Sequence, residues 1–368
     1  MKQEARKHRR RPARALVTGA TGVIGASLVR ALLGAGFAVR VFVRASSDIR
    51  GLTGLDLEYA YGDLLEEATI AQAAKGCRLF FHAGTPFAYW GIGAEFVEQV
   101  AVQGVLNALS AAKAAGVERF VLTSSSVTLG STRSKEILDE QNVFADPAAS
   151  PYAASKLHQE QTAFAKADEL GIPVVAVCPT VTVGPYDFRL SESNAILVNY
   201  LRDPFKATFP GGCNIVSARD VAAGHVLVAT LGQPGHRYLL GSENVEWSTV
   251  HRMIADLCGV ARPYAVANHT SSYLAGLYWE AFASCTGRRP QTTRTQARMV
   301  GRYYWYTHAR AEALGYRPMS TRQACAEALS WLVASEHVPM SLRRSLRVSP
   351  DLFRARRSWA SPNAGGIR

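Results

Sequence analysis

The sequence predicts an α/β fold, a doubly wound parallel sheet joined to a smaller C-terminal α/β lobe that carries the substrate. Three observations predict it. An apolar strand, a glycine turn and a helical pattern follow one another between Ala15 and Leu33. Short apolar runs of strand length then recur between helical stretches as far as Val177, the alternation that builds a buried parallel sheet. A chain of 368 residues with 48% hydrophobic content can also bury a large core and still supply a second lobe.

The first strand, Ala15-Leu-Val17, runs into Thr18-Gly-Ala-Thr-Gly-Val-Ile-Gly25 and then into the helical pattern Ala26 to Leu33. Gly19 permits the tight turn, Gly22 lets backbone approach a pyrophosphate, and Gly25 lets helix and strand pack closely. With Thr21, Val23 and Ile24 these residues form a candidate dinucleotide cradle. The second strand, Ala38 to Val43, ends at Arg44, where an acidic residue would bind a ribose diol. Arg44, followed by Ser46 and Ser47, suits a 2′-phosphate and favours NADP(H) over NAD(H). Leu57 to Ala60 leads to Gly62-Asp63-Leu64, with Asp63 placed to hydrogen bond adenine. Arg78 to Ala83 ends in Gly84, so the Ala83-Gly84 backbone is expected alongside the dinucleotide. His82 closes a buried strand and reads as structural.

The fifth strand, Arg119 to Leu122, ends in Thr123-Ser-Ser-Ser126, hydroxyls at the edge where an open parallel sheet binds ligands. Tyr152 and Lys156 stand four residues apart on one helix face. A cation beside the phenol is expected to lower its pKa and make it a proton carrier. After the sixth strand, Val174 to Val177, Pro179 and Thr180 are expected to border a nicotinamide.

Together these motifs resemble the extended branch of the short-chain dehydrogenase/reductase superfamily (the NAD-dependent epimerase/dehydratase family). The resemblance runs over roughly residues 14 to 335. It also rests on Cys178-Pro-Thr-Val-Thr-Val-Gly-Pro185, Arg219-Asp220-Val221 and Leu314-Gly-Tyr-Arg-Pro318. It implies a Rossmann-type domain over residues 15–185 and a substrate lobe mainly over 186–335, the chain crossing back near 215–230. Aligning Thr123 to Gly130 with the family pattern makes Ser125 the implied catalytic serine, with Ser124 and Ser126 close by. Ser-Val-Thr stands where sugar dehydratases carry Thr-Asp-Glu, and Leu129-Gly130 where many sugar epimerases carry Tyr-Gly. The text around Arg44 and Gly241-Ser-Glu-Asn looks closest to dihydroflavonol-reductase-like and 3β-hydroxysteroid-dehydrogenase-like members.

The expected chemistry is reduction of a ketone, or oxidation of an alcohol, on a hydrophobic small molecule. Ser125 and Tyr152 hydrogen bond the carbonyl, hydride comes from the nicotinamide, and Tyr152 gives its proton to the new alkoxide. Lys156 adjusts the phenol and binds the nicotinamide ribose. A redox-neutral nucleotide-sugar epimerase would use the same pair. Phe87 and Trp90, after the fourth strand, are expected over the substrate, with Ser126 beside it and Arg189 near any acidic group. Tyr273, Leu274, Leu277, Tyr278, Trp279 and Phe282 form either a second apolar wall or the core of the small lobe.

Six cysteines without a Cys-x-x-Cys pair or zinc spacing point to a reduced, cytoplasmic protein and to no metal. The net charge of +12 sits in the two ends: residues 1–14 hold seven Lys/Arg and one Glu, and residues 337–368 seven Arg and one Asp. Both ends, 1–14 and 336–368, are expected as basic disordered tails. Generic contact with a membrane or polyanion fits them better than specific nucleic-acid binding. The resemblance further implies a homodimer through the Tyr152 helix.

Overall fold

In the computed structural model, residues 12–86, 90–91, 93–144 and 151–360 are described. The chain begins with β1 (Arg14–Thr18), α1 (Val23–Gly34), β2 (Ala38–Val43), β3 (Glu58–Tyr61), α2 (Glu67–Ala74), β4 (Leu79–His82), α3 (Ala94–Ala114) and β5 (Arg119–Thr123). It continues through α4 (Pro151–Leu170), β6 (Val174–Pro179), β7 (Val181–Val183), α5 (Glu192–Arg202), β8 (Ala207–Thr208), β9 (Gly212–Ser217), α6 (Ala218–Leu231) and β10 (Arg237–Leu240). β11 (Glu243–Glu246), α7 (Trp247–Cys258), β12 (Ala265–Val266), α8 (His269–Thr286), α9 (Arg294–Ala297), α10 (Ala309–Ala313), α11 (Thr321–Leu332), α12 (Met340–Ser345) and α13 (Pro350–Ala360) complete it.

The main sheet has seven strands in the order β10-β6-β5-β4-β1-β2-β3, and every neighbouring pair is parallel. Successive side chains go to opposite faces, and both faces are covered. Ala15, Val17, Val41, Val121 and Val175 pack under α1 and α6, while Leu16, Phe42, Phe80, Phe120 and Leu122 pack under α2, α3 and α4. That is why these strands read as unbroken apolar runs. The strand order reverses between β1 and β4, which opens a crevice above their C-terminal ends. The return to the main domain comprises α6, lying against α1, and then β10 at the sheet edge.

The small lobe is built on β11-β9-β7, with Leu197, Ile215, Trp247, Ile254, Leu329 and Leu332 in its core. α8 does not join that core. Leu274, Leu277 and Tyr278 are exposed, at 58%, 46% and 62%, so the reading of this stretch as lobe core is corrected. Its buried side is taken by Gly276, Glu280 and Ala283 against α9.

The expectation of a disordered tail over 336–368 is also corrected for the described part. α12 and α13 occupy residues 340–345 and 350–360, and Leu352, Ala355 and Trp359 place α13 on the lobe core. These residues recur at helical spacing, and burying them outweighs the repulsion among the surrounding arginines. Trp359 Nε1 donates to Ser330 Oγ at 2.7 Å, and Tyr186 Oη donates to the Trp359 carbonyl at 2.6 Å. Residues 1–11 of the basic N-terminal stretch lie outside the described residues.

Candidate active site

β5 delivers its last residues to the crevice, and the three serines that follow it have separate partners. Ser124 is buried and donates to Glu160 Oε2 at 2.5 Å. Ser126 is buried and its hydroxyl meets the phenol of Tyr306, which donates to the Gly130 carbonyl at 2.7 Å. Ser125 alone of the three is hydrogen bonded through its side chain to Tyr152. It also caps the short 3-10 turn Ser126–Leu129, accepting from the Val127 amide at 3.4 Å.

Tyr152 lies in the first turn of α4 and Lys156 one turn further on. Lys156 is 4% exposed. Its ammonium donates to the Thr123 carbonyl at 2.9 Å, to Gln159 Oε1 at 2.9 Å and to Thr85 Oγ1 at 3.2 Å. Burial lowers its pKa to about 7, with the Glu160 carboxylate pulling the other way. Burial likewise raises the Tyr152 phenol to about 12, opposed by the bond to Ser125. The expected lowering of Tyr152 by Lys156 is therefore not what this arrangement gives, because desolvation is the dominant influence on the buried phenol. A phenol so raised keeps its proton at neutral pH and is a hydrogen-bond donor.

Behind this pair lies a polar layer that the sequence reading did not anticipate. Gln159 bridges Lys156 to Thr85 and to the Ala101 carbonyl, at 2.9 and 3.2 Å. Glu160, one turn beyond Lys156, forms a buried ion pair with Arg237 at 3.1 Å. Gln159 and Glu160 had a legible signal, since they follow Lys156 by three and four residues on the same helix. Thr85 and Arg237, on other elements, had none. His82 is buried, its pKa pushed down to about 3 by desolvation first and Lys156 second, and its Nδ1 meets Thr18 Oγ1 at 3.1 Å. A ring so hard to protonate is a structural element of the β1–β4 seam.

The glycine turn fits a dinucleotide. Gly19 has φ 69°, and a Cβ there would strike the Ala83 carbonyl, while one on Gly25 would strike the Gly19 carbonyl. A Cβ on Gly84 would lie 3.1 Å from Thr18 Oγ1 and 3.3 Å from the Gly19 nitrogen, so Ala83-Gly84 lies against the turn. Gly22 leaves more room: a Cβ there would lie 3.5 Å from the Gly19 carbonyl and 3.7 Å from Arg189 Nη2, ordinary contact distances. No side chain caps α1, so the first-turn amides around Val23 and Ile24, with Thr21 beside them, face that space.

Arg44 is exposed at the end of β2, its amide donating to Ser47 Oγ at 3.2 Å. Asp63 Oδ1 accepts from the Leu65 amide at 3.0 Å, and the Leu64 side chain abuts the position of Gly84. Pro179 and Thr180 are buried, and Thr180 Oγ1 donates to Asn214 Oδ1 at 3.0 Å. Trp90 is half-buried, and Phe87 lies outside the described residues. Arg189 Nη2 approaches the glycine turn at Gly22. Among the described residues no group of three or more His, Cys, Asp or Glu could hold a metal ion, and no helix is long and apolar enough to cross a membrane.

The chain has relatives of known family. The NAD dependent epimerase/dehydratase family matches residues 15–241. The chain belongs to that family. A putative dihydroflavonol 4-reductase of Synechocystis sp. is 32% identical over 323 residues, 86% of this chain and 93% of the relative. Sterol demethylase protein B of Methylococcus capsulatus is 32% identical over 320 residues, 86% of this chain and 97% of the relative. The crystal structure of gox2253 superimposes with a TM-score of 0.77 at 30% identity, covering 88% of this chain and 99% of that one. Members of the epimerase/dehydratase family are NAD(P)-dependent enzymes acting on CH–OH and C=O groups, and this chain is such an enzyme.

Proposed function

We propose that the protein is an NADPH-dependent reductase of a ketone on a hydrophobic small molecule, or the matching alcohol dehydrogenase in reverse. The observation that carries the reading is the side-chain hydrogen bond between Ser125 and Tyr152 at the C-terminal end of β5, with Lys156 buried one turn away. The reductase named among the relatives supports the reaction class.

The Gly19–Gly25 turn, Asp63-Leu64, Ala83-Gly84 and Pro179-Thr180 would hold the dinucleotide, with Arg44 toward a 2′-phosphate. The bound nicotinamide supplies the hydride. The protein does the rest. Ser125 and Tyr152 donate hydrogen bonds to the substrate carbonyl oxygen and polarise it. As the carbonyl carbon gains hydride, negative charge grows on that oxygen, and the Tyr152 proton moves to it, leaving the hydroxyl product. Lys156, fixed by Thr123, Gln159 and Thr85, holds positive charge beside the tyrosinate so formed. Glu160 favours that charged form. Ser126 and Trp90 would border the substrate, whose apolar body this reading places toward the small lobe.

The test is NADPH oxidation with bulky apolar ketones, comparing wild type with Tyr152→Phe. We expect turnover to fall by about 10²–10⁴ while NADPH still binds and circular dichroism is unchanged. Activity confined to nucleotide sugars without net consumption of NADPH, or full activity in the variant, refutes the reading.

A further inference from the structure

Arg189 has no described role in the chemistry above, and its surroundings give it one. It sits on the loop between β7 and α5 of the small lobe, shortly after the chain has left the main sheet at β6. That loop is firmly anchored. The Tyr186 ring lies beneath the Arg30 guanidinium of α1, 3.5 Å from carbon to centroid, and Phe188 lies beneath Arg50 at 4.7 Å. Asp187 is buried and accepts from the Ser191 amide at 2.7 Å and Asn194 Nδ2 at 2.9 Å, while His337 meets its carbonyl at 2.8 Å. Tyr186 and Leu190 both take positive φ, 65° and 52°, an uncommon conformation for such residues. Arg189 thus projects from a backbone fixed on both sides.

Its guanidinium comes to 3.7 Å from the position of a Gly22 Cβ, Gly22 being the one glycine of the turn where a side chain would meet only ordinary contacts. It forms no hydrogen bond or ion pair among the described residues. The acidic group that feels it is Asp48, which Arg50 already pairs at 2.7 Å. An arginine with free donors at the uncapped start of α1 is placed to meet an anion there. Arg189 is itself exposed, and the anchored backbone of its loop brings its guanidinium to the cradle.

We infer that Arg189 is a cofactor residue: from the small-lobe side it closes over Gly22 and binds the pyrophosphate of the dinucleotide, rather than an acidic group of the substrate. This rests on the cradle being a dinucleotide site, as read above. The second ligand for the pyrophosphate is then supplied by the lobe that carries the substrate, so cofactor binding and the placement of that lobe are joined through one side chain. Because the pyrophosphate is common to both dinucleotides, Arg189 contributes affinity without choosing between them. The choice falls to Arg44.

Calorimetric titration of the full chain with NADP⁺ and with NAD⁺ tests this without any turnover. Arg189→Ala is expected to weaken both by roughly ten- to a hundredfold, leaving their ratio unchanged. Arg189→Lys is expected to recover part of the loss, since a point charge replaces a fork. The wild-type affinity should also fall more steeply with salt than that of the alanine variant. Unchanged affinities with a raised KM for the ketone would return Arg189 to the substrate and overturn the inference. Loss confined to NADP⁺ would make it a 2′-phosphate ligand and overturn the pyrophosphate assignment. A wild-type protein that binds neither dinucleotide overturns the cofactor reading itself, a failure distinct from the other two.

Discussion

Lys156 offers a stability measurement that isolates a single buried charge. Its ammonium ordinarily titrates at 10.5 and burial brings it to about 7, a difference worth roughly 5 kcal/mol between charged and neutral forms as an upper bound. Between those two values the unfolded chain holds a proton that the folded chain has released. The unfolded state therefore binds more protons, and unfolding free energy rises with pH, at about 1.4 kcal/mol per pH unit from this group. The comparison protein is Lys156→Met, which keeps the volume and removes the titration. Deleting the ammonium strands the Thr123 carbonyl and Gln159 Oε1, a cost of about 1–3 kcal/mol each, but that cost does not depend on pH. Urea unfolding of both proteins near pH 7.5 and near pH 9.5 should show the wild type gaining about 2–3 kcal/mol on the variant across that interval. A gap that stays constant within about 0.5 kcal/mol, or shrinks, means that Lys156 keeps an ordinary pKa, and the account of its burial is then wrong.

Two further outcomes follow from the cofactor site and the C-terminal helix. Arg44→Ala should raise the dissociation constant for NADPH about tenfold, roughly 1.4 kcal/mol, and leave that for NADH unchanged; equal effects on both, read by fluorescence titration, would dissociate Arg44 from the 2′-phosphate. Leu352, 4% exposed where α13 meets the lobe core, should cost about 2–4 kcal/mol when changed to alanine. A urea midpoint that does not move would mean that α13 adds nothing to the lobe.

Most of the main sheet was legible because its strands are buried on both faces. β2 was read with its observed limits, Ala38 to Val43, and β1, β4, β5 and β6 to within one or two residues. The glycine turn was legible for a different reason: Gly19 and Gly25 stand where any side chain would strike backbone, so their spacing records a tertiary constraint directly. The C-terminal region was misread because its arginines are conspicuous and its apolar residues sparse. Leu352, Ala355 and Trp359 nonetheless recur at helical spacing behind Ser349 and Pro350, a usable start signal. α8 misled in the opposite direction, since its apolar residues face outward and its contacts are made by glycine, alanine and a buried glutamate.

The sequence by itself determined the parallel sheet, the place of the glycine turn and the spacing of Tyr152 and Lys156 along one helix, because each is written in residues close together in the chain. Only the tertiary structure decided which serine meets the tyrosine. Ser124, Ser125 and Ser126 are chemically alike, and what separates them is the partner each meets: Glu160 and Tyr152 from two turns of α4, and Tyr306 from a distant part of the chain. It likewise decided the sign of the tyrosine's pKa, since desolvation depends on how much protein surrounds a group and local spacing carries no measure of that. It brought Arg189 over Gly22, more than 160 residues distant in the chain, where the fold of one lobe supplies a charge to the cradle of the other.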